Sequence, residues 1–100
     1  MSATRHFIRR AHERLGCSAH DATRIAEAVV LAIRQERRDL VEYVARVNRD
    51  GCRLFRFGYG GRAYYALVDT DDMQCVTVMP PGFVVRRQGK AAIKLKETDI

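Results

Sequence analysis

Three side chains near the start of the chain are of types that act on phosphate esters, and they recur at every fourth residue. They are His6, Arg10 and Arg14 of the stretch RHFIRRAHERLG. Histidine titrates near neutral pH and can take or give a proton, and guanidinium groups stabilise phosphate charge. Metal-free cleavage of RNA needs a base for the 2′-hydroxyl, an acid for the leaving oxygen and cations for the phosphorane. His6 is the acid or base candidate, with Arg10 and Arg14 as phosphate-stabilising groups.

The same stretch has the periodicity of an amphipathic helix. Its apolar residues fall on one side of a helical wheel: Phe7, Ile8, Ala11 and Leu15. Residues four apart are separated by about 6 Å along a helix axis, a spacing that suits contact with successive phosphates of a nucleic acid. Arg9 is a further nucleic-acid-binding candidate on this helix. The alternative is a solvated face on which Glu13 pairs with a neighbouring arginine. We call His6, Arg10 and Arg14 the α1 row. If this row is functional, replacing Arg10 and Arg14 spares folding but abolishes activity or binding.

Arginine and tyrosine side chains are interleaved in the middle of the chain. They are Arg53, Arg56, Tyr59, Arg62, Tyr64 and Tyr65. A sheet face that is both basic and aromatic binds RNA by stacking and phosphate pairing. On this interpretation Arg53 and Arg56 bind nucleic acid, whereas Arg62 stabilises phosphate with the assistance of Tyr64. The alternative is that the tyrosines cover the core and the arginines keep an open face soluble. The strand register decides between these interpretations, because a shift of one residue moves every side chain to the opposite face.

The charge of the chain favours an anionic partner. Eighteen Lys and Arg against twelve Asp and Glu give a formal net charge of +6, and such a charge attracts nucleic acid or acidic proteins. From about residue 83 onward the chain forms a basic C-terminal segment. Its cations are Arg86, Arg87, Lys90, Lys94 and Lys96. We include Arg86, Arg87 and Lys90 among the nucleic-acid-binding residues.

Other residue patterns do not indicate a metal or a cofactor. Asp69, Asp71 and Asp72 belong to one turn, whereas a metal needs oxygen ligands from several segments. The three cysteines are odd in number and show no CxxC spacing, which argues against zinc and against a disulfide framework. GYGG lacks the Gly-Lys-Ser/Thr ending of a phosphate-binding loop. We therefore expect no metal and no cofactor.

The elements that must hold these residues follow from the apolar periodicity. The first helix should end near Gly16, and Ser18 with Asp21 marks the start of a second helix that runs from about residue 19 to about residue 36. Period-two segments then predict four strands: LVEYVARV, CRLFRF, RAYYALVD and QCVTVM, separated by NRDG, GYGG and TDDM. Two N-terminal helices packed on a four-stranded antiparallel sheet make an α+β fold, with residues 1–100 as one domain.

Two alternatives concern the elements themselves. The second helix could continue through DLVEYVARV in place of the first strand. In the basic segment, FVV either extends the sheet or packs beside it, and AAIKLKETDI is either a final strand or a mobile tail.

The chain shows no feature of a membrane or secreted protein. It contains no run of eighteen apolar residues. The charged N-terminus, with Arg5, Arg9 and Arg10, lacks the apolar core of a signal peptide. We expect a cytoplasmic protein.

Two segments resemble those of a known family. RHFIRRAHERLGCS is similar to the H-x3-R-x3-R-x-G opening of small bacterial and phage proteins related to RelE-like toxins, with His6, Arg10, Arg14 and Gly16 as the matching residues. GGRAYYALVDTDDMQCVTVMPPG resembles the closing hairpin of the same family. The wider group takes in barnase-like, EndoU-like and colicin-like ribonucleases. The resemblance implies RNA-directed activity or binding without a metal or cofactor, in a toxin–antitoxin or phage setting.

The last predicted strand departs from the family pattern. RelE-like nucleases often place Arg, Lys or Tyr near that strand, whereas QCVTVM has none of these, and Arg86 and Arg87 follow only after the prolines. This departure leaves open whether the protein cleaves RNA or only binds it.

Two functions therefore compete. The first is a small RNA-contacting, RelE-like protein, a metal-independent endoribonuclease if it is an enzyme. The second is a non-catalytic, phage-type interaction protein that inhibits a host nucleoprotein machine, as anti-CRISPR proteins do. A DNA-contacting regulator is disfavoured because the second helix is too apolar to enter a groove. The expected partners are RNA or a ribonucleoprotein, a cognate antitoxin or host protein, and a second copy paired through an exposed strand edge.

Overall fold

The chain begins with two helices and continues as strands. The computed structural model describes residues 2–96. Its elements are α1 (Arg5–Leu15), α2 (Ala19–Arg34), β1 (Val41–Arg46), β2 (Cys52–Tyr59), β3 (Arg62–Asp69), β4 (Gln74–Met79), β5 (Val84–Arg87) and β6 (Lys90–Lys94). The two helices pack on a four-stranded antiparallel sheet, so the predicted α+β class is confirmed.

Side-chain caps and one glycine fix the helix boundaries. The Thr4 hydroxyl accepts a hydrogen bond from the Phe7 amide, and the Ser18 hydroxyl accepts one from the Asp21 amide, each at 3.1 Å. Gly16 ends α1 with a φ of 72°, a conformation that favours glycine. The chain leaves α2 after Arg34 and turns before β1, so the alternative that continued this helix through DLVEYVARV is wrong.

The main sheet has the strand order β1-β2-β3-β4, and all of its pairs are antiparallel. The β2–β3 turn is formed by Gly60 and Gly61 with φ of 59° and 78°, the pair of positive angles that a two-residue hairpin requires. We predicted GYGG as a loop or bulge, but Gly58 and Tyr59 extend β2 and pair with Ala63 and Arg62.

The helices cover one face of the main sheet, which we call the helix face. There α1 lies along β4, and α2 contacts α1, β4 and β1. The core between these layers contains Phe7 and Ala26 from the helices, and Phe57, Tyr64 and Val78 from the sheet. Backbone hydrogen bonds also attach residues 2–4 to β4, because the Cys75 amide donates to Ser2 and its carbonyl accepts from Thr4.

The basic segment from residue 83 covers part of the opposite face, which we call the hairpin face. Because β5 and β6 pair within it, we call residues 83–96 the hairpin segment. Strands β5 and β6 pair with each other as a separate two-stranded sheet. Val85 and Leu95 pack there against Leu54 and Tyr65 of the main sheet. Of the two outcomes predicted for FVV, the segment therefore packs beside the sheet rather than extending it.

The length and hydropathy of the two helices bear on whether they could cross a membrane. Within residues 2–96, neither α1 nor α2 combines the length and the hydropathy that crossing a membrane requires.

Candidate nucleic-acid interface

The exposed side of α1 is basic, and most of its cations point to solvent. His6 and Arg9 are exposed, whereas Arg10 is partly covered. Arg10 donates a hydrogen bond of 2.7 Å to Glu13, and this bond lowers the pKa of the Glu13 carboxyl. The ion pair of Glu13 with Arg9 or Arg10, which belongs to the alternative of a solvated face, therefore exists with Arg10 as the partner, and it leaves His6 and Arg9 exposed.

Arg14 occupies a different environment from the other members of the row. Its Nη1 donates a hydrogen bond of 2.6 Å to the Val78 carbonyl of β4. Its guanidinium carbon lies 4.7 Å from the centre of the Phe83 ring. Burial lowers the pKa of Arg14, and the nearby charge of Arg10 adds to the effect. Arg14 therefore joins α1 to β4 and to the start of the hairpin segment.

The first two predicted arginines of the sheet lie on opposite faces. Arg53 lies on the helix face and donates to the Thr70 hydroxyl at 2.7 Å and to the Gly51 carbonyl at 3.2 Å. Arg56, three residues along the strand, lies on the hairpin face and donates to Glu42 at 3.3 Å. Its Nε is buried and has no acceptor within residues 2–96. These two arginines do not form a common surface.

The predicted tyrosines are largely covered. Tyr64 is 6% exposed and belongs to the helix-face core, where Arg62 approaches its ring at 5.8 Å. Tyr65 is 4% exposed and donates its hydroxyl to the Lys96 carbonyl at 2.9 Å. Tyr59 is half-buried against Tyr64. The structure thus matches the second interpretation of these residues, in which the tyrosines cover the core.

The hairpin segment supplies a second group of cations. Arg86 and Lys90 are exposed. Arg87 is half-buried and donates from Nε to the Ala91 carbonyl at 2.9 Å, which holds it within the hairpin. Residues 83–96 contain five Lys and Arg and no Asp or Glu.

The predicted catalytic residues are not gathered in one cleft. His6 and Arg14 lie about 12 Å apart along α1, given a rise of about 1.5 Å per residue. Tyr64 is within the core, and Arg14 is bound to a backbone carbonyl. The structure instead brings Arg14, the last residue of the α1 row, next to Phe83, the first residue of the hairpin segment.

Phe83 is the residue at this junction that the sequence reasoning missed. Phe83 is 41% exposed, although its ring contacts Arg14. The only signal in the sequence was an aromatic residue directly after Pro80-Pro81-Gly82. We define the basic surface as Phe83 together with four cations of α1 and two of the hairpin segment. The cations are Arg5, His6, Arg9, Arg10, Arg86 and Lys90, of which all but the half-buried Arg10 are exposed.

The acidic turn and the cysteines have local structural roles. Asp69 accepts a hydrogen bond of 3.0 Å from the Asp71 amide within the β3–β4 turn. Burial raises the pKa of the Cys17 thiol and raises that of Cys75 to about 12, so neither forms a thiolate readily. Among residues 2–96 no cluster of three His, Cys, Asp or Glu side chains is arranged to hold a metal ion.

Comparison of the chain with protein-family models, with curated proteins and with solved structures gave no match. The resemblance to RelE-like toxins therefore stays a prediction drawn from the residues of α1 and of the β3–β4 hairpin. Any functional assignment depends on the basic surface itself.

Proposed function

We propose that this protein binds RNA through the basic surface. The observation that carries the proposal is the contact of Arg14 with Phe83, which brings the C-terminal end of α1 next to the start of a hairpin segment that has five cations and no acid. Phosphate contacts supply most of the affinity in such interfaces. Exposed cations that are not used in tertiary contacts, such as Arg9 and Arg86, are the groups able to make them.

Several features support binding rather than cleavage. Acid–base cleavage requires the proton-transfer groups and the charge-stabilising groups to converge on one phosphate. His6 lies about 12 Å along the helix from Arg14, and Tyr64 is covered by the core. The proposal therefore treats α1 as a phosphate-contacting helix, and ribonuclease activity as an outcome to be tested.

The biological setting belongs to the same proposal. An RNA-binding protein that resembles RelE-like toxins would act in the cytoplasm, with a cognate antitoxin or a host ribonucleoprotein as partner. The order of elements, two helices followed by four strands, supports this setting because the resemblance implies the same order.

Fluorescence anisotropy with a fluorescein-labelled RNA tests the proposal. The double variant Arg9→Gln/Arg86→Gln removes two charges from the basic surface, and we expect it to bind at least about fivefold more weakly at moderate salt. Arg34→Gln/Arg38→Gln is the matched control, because it removes the same net charge at the end of α2 and in the turn before β1. We expect the control to bind within about twofold of the unchanged protein.

Two results would count against the proposal. Equal losses in the two double variants would indicate attraction by net charge alone, and no binding by the unchanged protein at low salt would exclude an RNA partner. Denaturing gels of the same mixtures test cleavage. Cleavage that disappears in His6→Ala would convert the proposal into a metal-independent ribonuclease.

The second candidate is a non-catalytic interaction protein that inhibits a host nucleoprotein machine. Arg14 is bound to the Val78 carbonyl and Tyr64 is buried, and both facts favour an interaction protein over an enzyme. A basic surface also fits an acidic patch on a partner protein. A complex with a purified CRISPR effector that survives nuclease treatment, and that Arg9→Gln/Arg86→Gln weakens, would support this candidate. Loss of the complex on nuclease treatment would return the assignment to RNA.

A further inference from the structure

We infer that Phe83 is a stacking platform for an unpaired nucleobase, so that the RNA bound at the basic surface is single-stranded. This inference rests on the proposed function and names the class of RNA. Phe83 is 41% exposed, whereas the other three phenylalanines, Phe7, Phe55 and Phe57, are at most 7% exposed. A phenyl ring that is partly exposed beside an arginine is of the kind found in single-strand binding sites, in which bases stack on aromatic rings next to basic groups.

Arg14 lies over one side of the ring, and Phe83 is still 41% exposed. The guanidinium lies 4.7 Å from the ring centre, and its hydrogen bond to the Val78 carbonyl holds it there. A base on the other side would complete a stack of guanidinium, phenyl ring and base. The cation next to the ring also favours the approach of the phosphate attached to that base.

The backbone around Phe83 is held on both sides, which makes the platform rigid. Gly82 donates its amide to the Leu95 carbonyl at 2.8 Å, and the Leu95 amide donates to the Phe83 carbonyl at 2.8 Å. Leu95 is 2% exposed and anchors these bonds in the hairpin-face core. Gly82 has a φ of 92°, which favours glycine at this turn. A ring already fixed in place loses little freedom when a base stacks on it.

The α1 row begins beside the platform, at Arg14, and extends from there along the helix. Arg10 and His6 lie about 6 Å and about 12 Å from Arg14 along the helix axis. A nucleotide stacked on Phe83 can therefore place its neighbouring phosphates along the row. A duplex hides the faces of its bases in the helical stack, so it can use the row but not the ring.

The test compares Phe83→Leu with Phe83→Trp, using a fluorescein-labelled single-stranded RNA and a duplex of the same length. We expect Phe83→Leu to weaken single-strand binding about tenfold, the effect of removing one stacking ring, and to leave duplex binding unchanged. Tyr43→Leu is the matched control, because Tyr43 is 53% exposed on β1, outside the basic surface. We expect this control to bind both RNAs as the unchanged protein does.

Phe83→Trp gives a direct signal of stacking, since the chain has no other tryptophan. We expect single-stranded RNA to quench its fluorescence and inorganic polyphosphate to leave it unchanged, because only a base stacks on the indole. Binding of single strand and duplex with equal affinity, unaffected by Phe83→Leu and without quenching in Phe83→Trp, would overturn the inference and leave RNA binding intact. Absence of RNA binding in the unchanged protein would remove the proposed function and the inference together.

Discussion

The guanidinium of Arg14 connects three parts of the molecule. It extends from α1, binds the Val78 carbonyl of β4 and lies against Phe83. Arg10, one turn earlier, forms an ion pair with Glu13 on the same helix. Two arginines that are equivalent in spacing therefore differ in what they do, because only one of them reaches a neighbouring strand.

This difference predicts different effects on stability. Arg14→Ala should lower the free energy of unfolding by about 2 kcal/mol, since it removes a charged hydrogen bond that is partly shielded from water and a cation–π contact. Arg10→Ala should leave stability nearly unchanged, because exposed ion pairs contribute little. Urea denaturation followed by circular dichroism measures both. Equal stability of the two variants would show that the Arg14 contacts contribute nothing.

The sequence predicts that replacing Arg10 and Arg14 together spares folding, whereas the contacts of Arg14 lead us to expect this for Arg10 alone. A four-residue spacing places two side chains on the same side of a helix, and it contains no information on which of them meets a strand from elsewhere in the chain. The same limit applies to Phe83, whose exposure depends on the packing of β5 and β6. Sequence could indicate the cationic helix, but not the ring at its end.

At the scale of elements, the first residues of the chain protect an edge of the sheet. Ala3 is 1% exposed and forms a parallel bridge with Cys75 of β4. Thr4 caps α1 with its hydroxyl oxygen and donates the hydroxyl proton to the Val76 carbonyl at 2.9 Å. One side chain thereby sets the start of the helix and holds it to the edge strand.

Thr4→Val should therefore destabilise the protein more than the loss of an ordinary cap does. Valine keeps the shape of threonine but removes both hydrogen bonds, and we expect a loss of about 2 kcal/mol, the upper end of the range for helix caps. Thr4→Ser is the control, because it keeps the hydroxyl and should cost much less. Thermal unfolding of the two variants makes the comparison, and similar midpoints would show that the hydroxyl has no such double role.

The sequence predicted where the helices begin and end, but it did not predict on which face of the sheet each residue of β1 lies. The caps at Ser18 and Gly16 were visible as residue types with known preferences. In β1, however, Val44 is an extra residue, because the register moves from Tyr43 opposite Phe55 to Ala45 opposite Leu54. Strict alternation placed Tyr43 and Ala45 on one side, and the bulge turns Ala45 to the hairpin face.

At the scale of the whole molecule, the main sheet is protected at both edges. The β4 edge is bound by residues 2–4 and by Arg14. The β1 edge has the bulge and exposes the charged Glu42 and Arg46. Bulges and edge charges disfavour pairing between copies, the route by which we expected a homodimer.

The basic surface predicts a particular dependence of RNA affinity on salt. Each phosphate that a cation neutralises on a single strand releases counterions, so the slope of log affinity against log salt is steeper by about 0.7 for every such phosphate. Arg86→Gln/Lys90→Gln removes two exposed cations of the hairpin segment and should make the slope shallower by about 1.4 if both bind phosphates. Arg34→Gln/Arg38→Gln should keep the original slope. Anisotropy titrations at four salt concentrations measure these slopes. A weaker affinity with an unchanged slope in the hairpin variant would mean that Arg86 and Lys90 support the fold of the segment and do not touch phosphate.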